Sequence, residues 1–216
     1  MHKVFWDNPY QDNLVTRVAS VEGNHVVFDE TILFSFSGGQ ESDRGFINGM
    51  AVLDSSREGR LIRYTLPEGH GLAAGQEVTM TIAWLRRYRL MRLHFAAELI
   101  LELVTRSLGW EKVGAHIAED KARIDFRSEV NANAILPSIQ EAYDAIVASD
   151  RPIEKGWLDP EQERRYWKID GFAQVPCGGT HVRSTGEVGA VTLKRDHPGK
   201  GIERIVIRLV DDQRLS

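Results

Sequence analysis

The stretch RRYRLMRLHFAAELILELVTRSL, residues 86–108, divides the chain into two kinds of pattern. Leu90, Leu93, Ala97, Ile100, Leu101 and Val104 recur at the three- and four-residue spacing of a helix, and Gly109 is a natural stop. Before it, apolar runs are short and punctuated by Gly, Asn and Asp. Val15–Val21 turns at Gly23-Asn24 into His25–Phe28, the signature of a hairpin. Thr31–Phe34, Arg44–Ile47, Met50–Leu53, Leu61–Thr65 and Glu77–Ile82 follow as further strands. Many short strands with no helical period predict a small β-barrel over residues 1–85.

After the helix, strands are expected at Val113–Ile117, Ala122–Phe126, Gly189–Leu193 and Glu203–Leu209. A second helix is expected from Leu136 to Ala148, with Pro137 near its start, and a short charged helix at Glu161–Trp167. Strands segregated from helices make residues 86–216 an α+β domain and not a βαβ array. No internal repeat or low-complexity linker is visible.

The 216 residues carry 27 Lys+Arg against 31 Asp+Glu and a single cysteine. One cysteine excludes an intramolecular disulfide and suits a reducing compartment. Charges interrupt every apolar run before the ~18 residues a membrane span requires. The first residues lack the apolar core of a secretory signal. The expectation is a soluble cytoplasmic protein. A net charge of −4 argues against a generally basic nucleic-acid module, but the balance is uneven. Residues 1–85 are acidic, whereas arginines crowd the start of the long helix (Arg86, Arg87, Arg89, Arg92) beside Trp84 and Tyr88. Lys194, Arg195 and Lys200 gather with Arg204 and Arg208 near the C-terminus.

Two local spacings carry chemistry. His94 and Glu98 lie one helical turn apart, so an imidazole and a carboxylate share a face. Alone, that is more often a solvated pair than a site. Val175-Pro176-Cys177-Gly178-Gly179-Thr180-His181 puts a thiol and an imidazole at the ends of a shaped turn, both good Zn²⁺ ligands. Alone, Cys177 is equally well a small buried hydrophobe. Taken together, His94, Cys177 and His181 form the nitrogen–sulfur set of an open catalytic zinc site.

The segments around these residues, with Thr185–Gly189, Ser37-Gly38-Gly39-Gln40, Asp43-Arg44-Gly45 and Ala122–Phe126, resemble the editing domain of alanyl-tRNA synthetase. Its freestanding relatives, the alanyl-tRNA editing proteins of the AlaX type, are the nearer resemblance, and it spans almost the whole chain. It implies a β-barrel followed by a domain of the threonyl/alanyl-tRNA synthetase second-additional-domain type. The implied activity is zinc-dependent deacylation of mischarged tRNA-Ala, seryl and in some cases glycyl. One Zn²⁺ would be held by His94, Glu98, Cys177 and His181, with His94 and Glu98 catalytic.

The resemblance also places Gly114, Ala115, His116 and Thr180 near the substrate. Gly38, Gly39 and Gln40 would meet tRNA, together with the arginine and lysine clusters. The family pattern is broken at Glu98, where a second histidine is usual. Glu98 is then a ligand, a general base on water, or the mark of a site that only binds aminoacyl-tRNA. A related deacylase with another substrate is the remaining alternative. Ser35 and Glu41 also stand where relatives often carry proline.

Overall fold

The computed structural model describes residues 1–199 and 201–210. The chain forms two compact units, Met1–Ser37 with Glu41–Tyr88, and Gly38–Gln40 with Arg89–Ser216. Among the described residues no helix is long and apolar enough to cross a membrane.

The first unit contains β1 (His2–Lys3), α1 (Val4–Asp7), β2 (Asn13–Glu22), β3 (His25–Phe28), β4 (Glu30–Thr31), β5 (Gly45–Ile47), β6 (Met50–Ala51), β7 (Asp54–Glu58), β8 (Leu61–Thr65) and β9 (Glu77–Ile82). Seven of these form one sheet in the order β6-β5-β9-β2-β3-β8-β7. Its two edge strands, β6 and β7, are consecutive in the chain. Between them Val52 donates to the Gly45 carbonyl and Leu53 to that of Thr65. Opposite edges joined by two residues require the sheet to curl, and Val18, Val26, Phe28, Ile47, Ile62 and Met80 fill its interior.

Thr31–Phe34 departs from the expected strand. Only Glu30–Thr31 pairs, in parallel with His2–Lys3; beyond it the Phe34 carbonyl accepts from Asp43 N–H, and other backbone groups find side chains. Phe34 N–H donates to the Asp43 carboxylate at 2.7 Å, and the Ile32 carbonyl accepts from Arg87. Arg87 has no exposed surface. Its guanidinium also donates to the Pro9 carbonyl and ion-pairs with Asp43. A buried charge is tolerated only when its donors are met this fully.

The chain passes into the second unit within α2 (Trp84–Leu108), which ends as expected, with Gly109 at φ +68°. There follow β10 (Glu111–Ile117), β11 (Ala122–Arg127), α3 (Leu136–Ala148), β12 (Glu154–Asp159), β13 (Arg164–Ile169), β14 (Ala173–Pro176), α4 (Thr185–Val188), β15 (Val191–Gly199) and β16 (Ile202–Leu209). An antiparallel sheet runs β10-β11-β16-β15, and a second runs β12-β13-β14. The α+β class is therefore observed.

Residues 161–167 do not form the expected helix. Asp159 caps a turn through Gln162 N–H, and β13 follows with Arg165, Trp167 and Ile169 buried alternately. A two-residue period was masked by the charges around it.

Glu203 ties β16 to the segment before α3. It is 3% exposed, pairs with both Nε and Nη2 of Arg195 and accepts from Ala132 N–H at 2.9 Å. The Arg195 hydrogen bonds lead in lowering its pKa to about 2. The unfolded chain therefore binds a proton that the folded chain refuses between about pH 4.5 and 2, and stability is lost as pH falls through that window. Because Arg195 is partly solvated, removing the carboxylate is expected to cost about 2 kcal/mol at pH 7. Denaturant titrations of Glu203→Gln should show that loss together with a flattened acid limb.

Candidate metal centre

Four separate segments of the second unit converge. His94 and Glu98 come from α2, and Cys177 and His181 from the loop after β14. Gln40 comes from the short Gly38–Gln40 segment and Trp167 from β13. The loop cannot continue as a strand, because Pro176 ends the ladder and two glycines follow. Its start is tied down by Cys177 N–H donating to the Arg165 carbonyl at 2.9 Å. Gly179 is required by space: a Cβ there would lie 2.0 Å from His94 Cε1 and 2.5 Å from Nδ1.

Cys177 Sγ lies 3.3 Å from His94 Nε2 and 3.2 Å from His181 Nε2. The ligand atoms of His94, Cys177 and His181 all fall within 4.8 Å of one another. Both histidines are buried and Cys177 is half-buried. Glu98 stands beside this trio. Its Oε1 is 3.5 Å from His94 Nε2, and its Oε2 accepts from Trp167 Nε1 at 2.9 Å.

Gln40 orients the first imidazole. Its Oε1 accepts from His94 Nδ1 at 2.5 Å and from Thr180 N–H at 3.2 Å. Its Nε2 donates to Thr180 Oγ1 at 2.9 Å. A backbone N–H can only donate, so Thr180 fixes which end of the amide faces it, and the amide fixes the tautomer of His94. Nε2 is thereby left facing Cys177. Such an outer partner is the usual support of a ligating imidazole.

The charges follow from the packing. Burial opposes the charged form of His94, but Cys177 and Glu98 outweigh it and push the pKa up to about 10. Burial, then the charge on His94, drives His181 well below its ordinary value. Burial also opposes the Glu98 carboxylate, yet His94 and the Trp167 N–H hold it below the usual range. One protonated imidazole and one neutral one, with a sulfur between them, is a donor set in which a cation can replace a proton. Two nitrogens and a sulfur in near contact suit Zn²⁺ in particular.

Not every expected site residue is found here. Thr180 is buried against Gln40, and the Ala115 carbonyl abuts Gly39, whose added Cβ would lie 2.7 Å from it. Gly114 and His116 pair with Asp125 and Arg123, which puts them on the sheet face opposite Ala115. Gln40, expected at tRNA, is fully buried and bonded to His94.

The arginines expected at tRNA are largely engaged internally. Arg87 is buried with Asp43, and Arg86, 9% exposed, pairs with Glu41 at 2.7 Å. Arg92, equally buried, donates to the Val188 carbonyl. These three guanidinium groups are buried and bonded within the protein, which leaves little of them to meet a phosphate. Arg89 remains part-exposed near Glu119, and Lys194 is exposed. Arg195 is bonded to Glu203, and Lys200 lies outside the described residues. Trp167 was missed altogether, since the residues around it read as a helix.

Residues 168–206 match the family model described as the threonyl and alanyl tRNA synthetase second additional domain. An alanyl-tRNA editing protein AlaX-M of Pyrococcus horikoshii is 33% identical, the match covering 94% of this chain and 95% of that protein. The AlaX-M protein of Saccharolobus solfataricus is 29% identical over 94% of this chain and 96% of its own length. An alanine–tRNA ligase of Methanococcus maripaludis is 28% identical over 94% of this chain but only 25% of its own length.

Proposed function

The chain belongs to the family of alanyl-tRNA editing proteins, and from that membership we propose that it is a zinc-dependent hydrolase that deacylates mischarged tRNA-Ala, seryl-tRNA-Ala first among its substrates. The observation that carries the reading is the convergence of His94, Cys177 and His181 in a chain whose match to an AlaX-M protein covers 94% of it and 95% of that protein. His94, Cys177 and His181 would hold one Zn²⁺. When bound, the metal polarises an ester carbonyl or lowers the pKa of water, either of which favours ester cleavage.

The protein's own residues do the rest. Gln40 holds His94 in the tautomer that presents Nε2. Glu98, ionised and within reach of the same atom, is placed to accept a proton from an attacking water. Thr180, next to His181 in sequence and buried with its hydroxyl accepting from Gln40, is the side-chain hydroxyl assigned to discriminate serine from alanine. A site that hydrogen-bonds a substrate hydroxyl is left with unpaired groups when alanine occupies it, which protects correctly charged tRNA.

The tRNA side of the proposal rests on Arg89, Lys194 and the outer face of the β10-β11-β16-β15 sheet. There Lys121, Arg123, Lys194, Arg195, Arg204 and Arg208 line a groove of about 510 Å³ that also holds Asp196. Of these cations, Lys121, Arg123, Arg195, Arg204 and Arg208 are paired with Asp120, Asp125, Asp196 or Glu203, pairs a phosphate would have to compete with. Phosphates are positioned by such cations without reading sequence. With about four contacts formed, the log–log dependence of affinity on salt should have a slope near −3. Protein purified without chelator is expected to hydrolyse seryl-tRNA-Ala, to stop with chelator and to resume with Zn²⁺. Binding without hydrolysis would overturn the enzyme reading, and salt-independent binding would remove the cationic face from it. tRNA editing implies that the protein works in the cytoplasm.

A further inference from the structure

Trp167 is the bulkiest fully buried side chain described, and its one polar atom is spent on the centre. Its ring packs edge-on against Phe95 with centroids 5.1 Å apart, and Phe95 in turn packs against His181 at 5.6 Å. Its Nε1 donates to Glu98 Oε2 at 2.9 Å, while Glu98 Oε1 lies 3.5 Å from His94 Nε2. One oxygen of the carboxylate is thus occupied from behind, and the other is turned to the trio. Left to itself, a carboxylate on a helix rotates about its last torsion and offers either oxygen, or both, to a cation.

We propose that Trp167 is the positioning residue of the centre: by holding Oε2 it makes Glu98 meet the metal region through Oε1 alone, at a set place. The proposal rests on the reading of His94, Cys177 and His181 as the metal ligands. It goes beyond that reading by assigning to a residue that touches none of the ligands' donor atoms the control of how the carboxylate approaches. The indole is suited to the task because it donates and cannot accept, so it never competes with the carboxylate for the cation. The indole itself is fully buried, so on its side of the carboxylate no water can take its place.

Trp167→Phe keeps an aromatic ring against Phe95 and removes only the donor and part of the volume. Zinc affinity, read by chelator competition without RNA, is expected to fall about tenfold or more. The visible spectrum of the Co²⁺-loaded protein should shift as the carboxylate changes its approach. In a Glu98→Ala background the same substitution should change neither quantity, because its effect runs through Glu98. Denaturant unfolding of the metal-free variants measures any packing loss separately.

Affinity within twofold of the parent, or an equal loss in the Glu98→Ala background, overturns the assignment and leaves the metal centre standing. A parent chain that binds no zinc overturns both. A parent that binds zinc but leaves mischarged tRNA intact overturns the substrate reading alone.

Discussion

Cys177→Ser is expected to abolish deacylation and to weaken zinc binding by more than ~100-fold, since even the outer partners of metal ligands cost 10–100-fold. The sulfur sits between both imidazoles, at 3.3 Å from one and 3.2 Å from the other, so its loss opens the trio at its centre. The variant also has a protonic signature. In the parent, His94 is raised to about 10 and holds a proton at pH 7.5, so metal binding must release it. Apparent affinity therefore rises with pH up to that value. Burial is the largest single influence on His94 and acts downward. With the sulfur gone, burial is less opposed, and the proton released per metal should shrink. Calorimetry in buffers of different ionisation enthalpy measures that number directly. A variant that keeps its metal and its proton release would remove Cys177 from the ligand set.

How much of this was legible in the sequence depended on distance along the chain. His94 with Glu98, and Cys177 with His181, are each i,i+4 pairs, so spacing marked them as candidates, and only their combination with the family resemblance joined them into one site. The long helix, its glycine stop and the α3 segment were equally local. Gln40 was visible as part of a glycine-rich turn, but its role was not. It lies 54 residues from His94, and nothing nearby says that its amide turns inward.

The arginines failed for a related reason. Arg87 and Arg89 look alike in sequence, yet one is buried beneath Asp43, Pro9 and Ile32 and the other is part-exposed. Only the fold distinguishes a guanidinium that cross-links three loops from one that meets solvent. Trp167 was hidden by its neighbours. Glu161, Glu163, Arg164 and Arg165 gave the segment 161–167 a helical, charged look, whereas β13 buries Arg165 and Trp167 on one face.

The same dependence on space makes the two adjacent glycines of the loop unequal, and Gly179→Ala is expected to be nearly as damaging as loss of a ligand. Its methyl would fall 2.0 Å from His94 Cε1, 2.5 Å from Nδ1 and 2.9 Å from Gln40 Oε1. None of these can give way cheaply. His94 is buried on a helix packed around most of its circumference, and Gln40 is fully buried and bonded to Thr180. The loop itself must move by about 1 Å, carrying Cys177 and His181, which stand two residues to either side. A misplacement of that size at a reacting centre costs on the order of 100-fold in rate. A Cβ at Gly178 meets nothing within 4 Å, so Gly178→Ala should stay within about twofold of the parent. Turnover and zinc content of the two variants, measured side by side, separate a general need for loop flexibility from a need for room beside His94. Equal losses would favour flexibility. A Gly179→Ala protein with full metal and full activity would show that His94 is not held where the packing puts it.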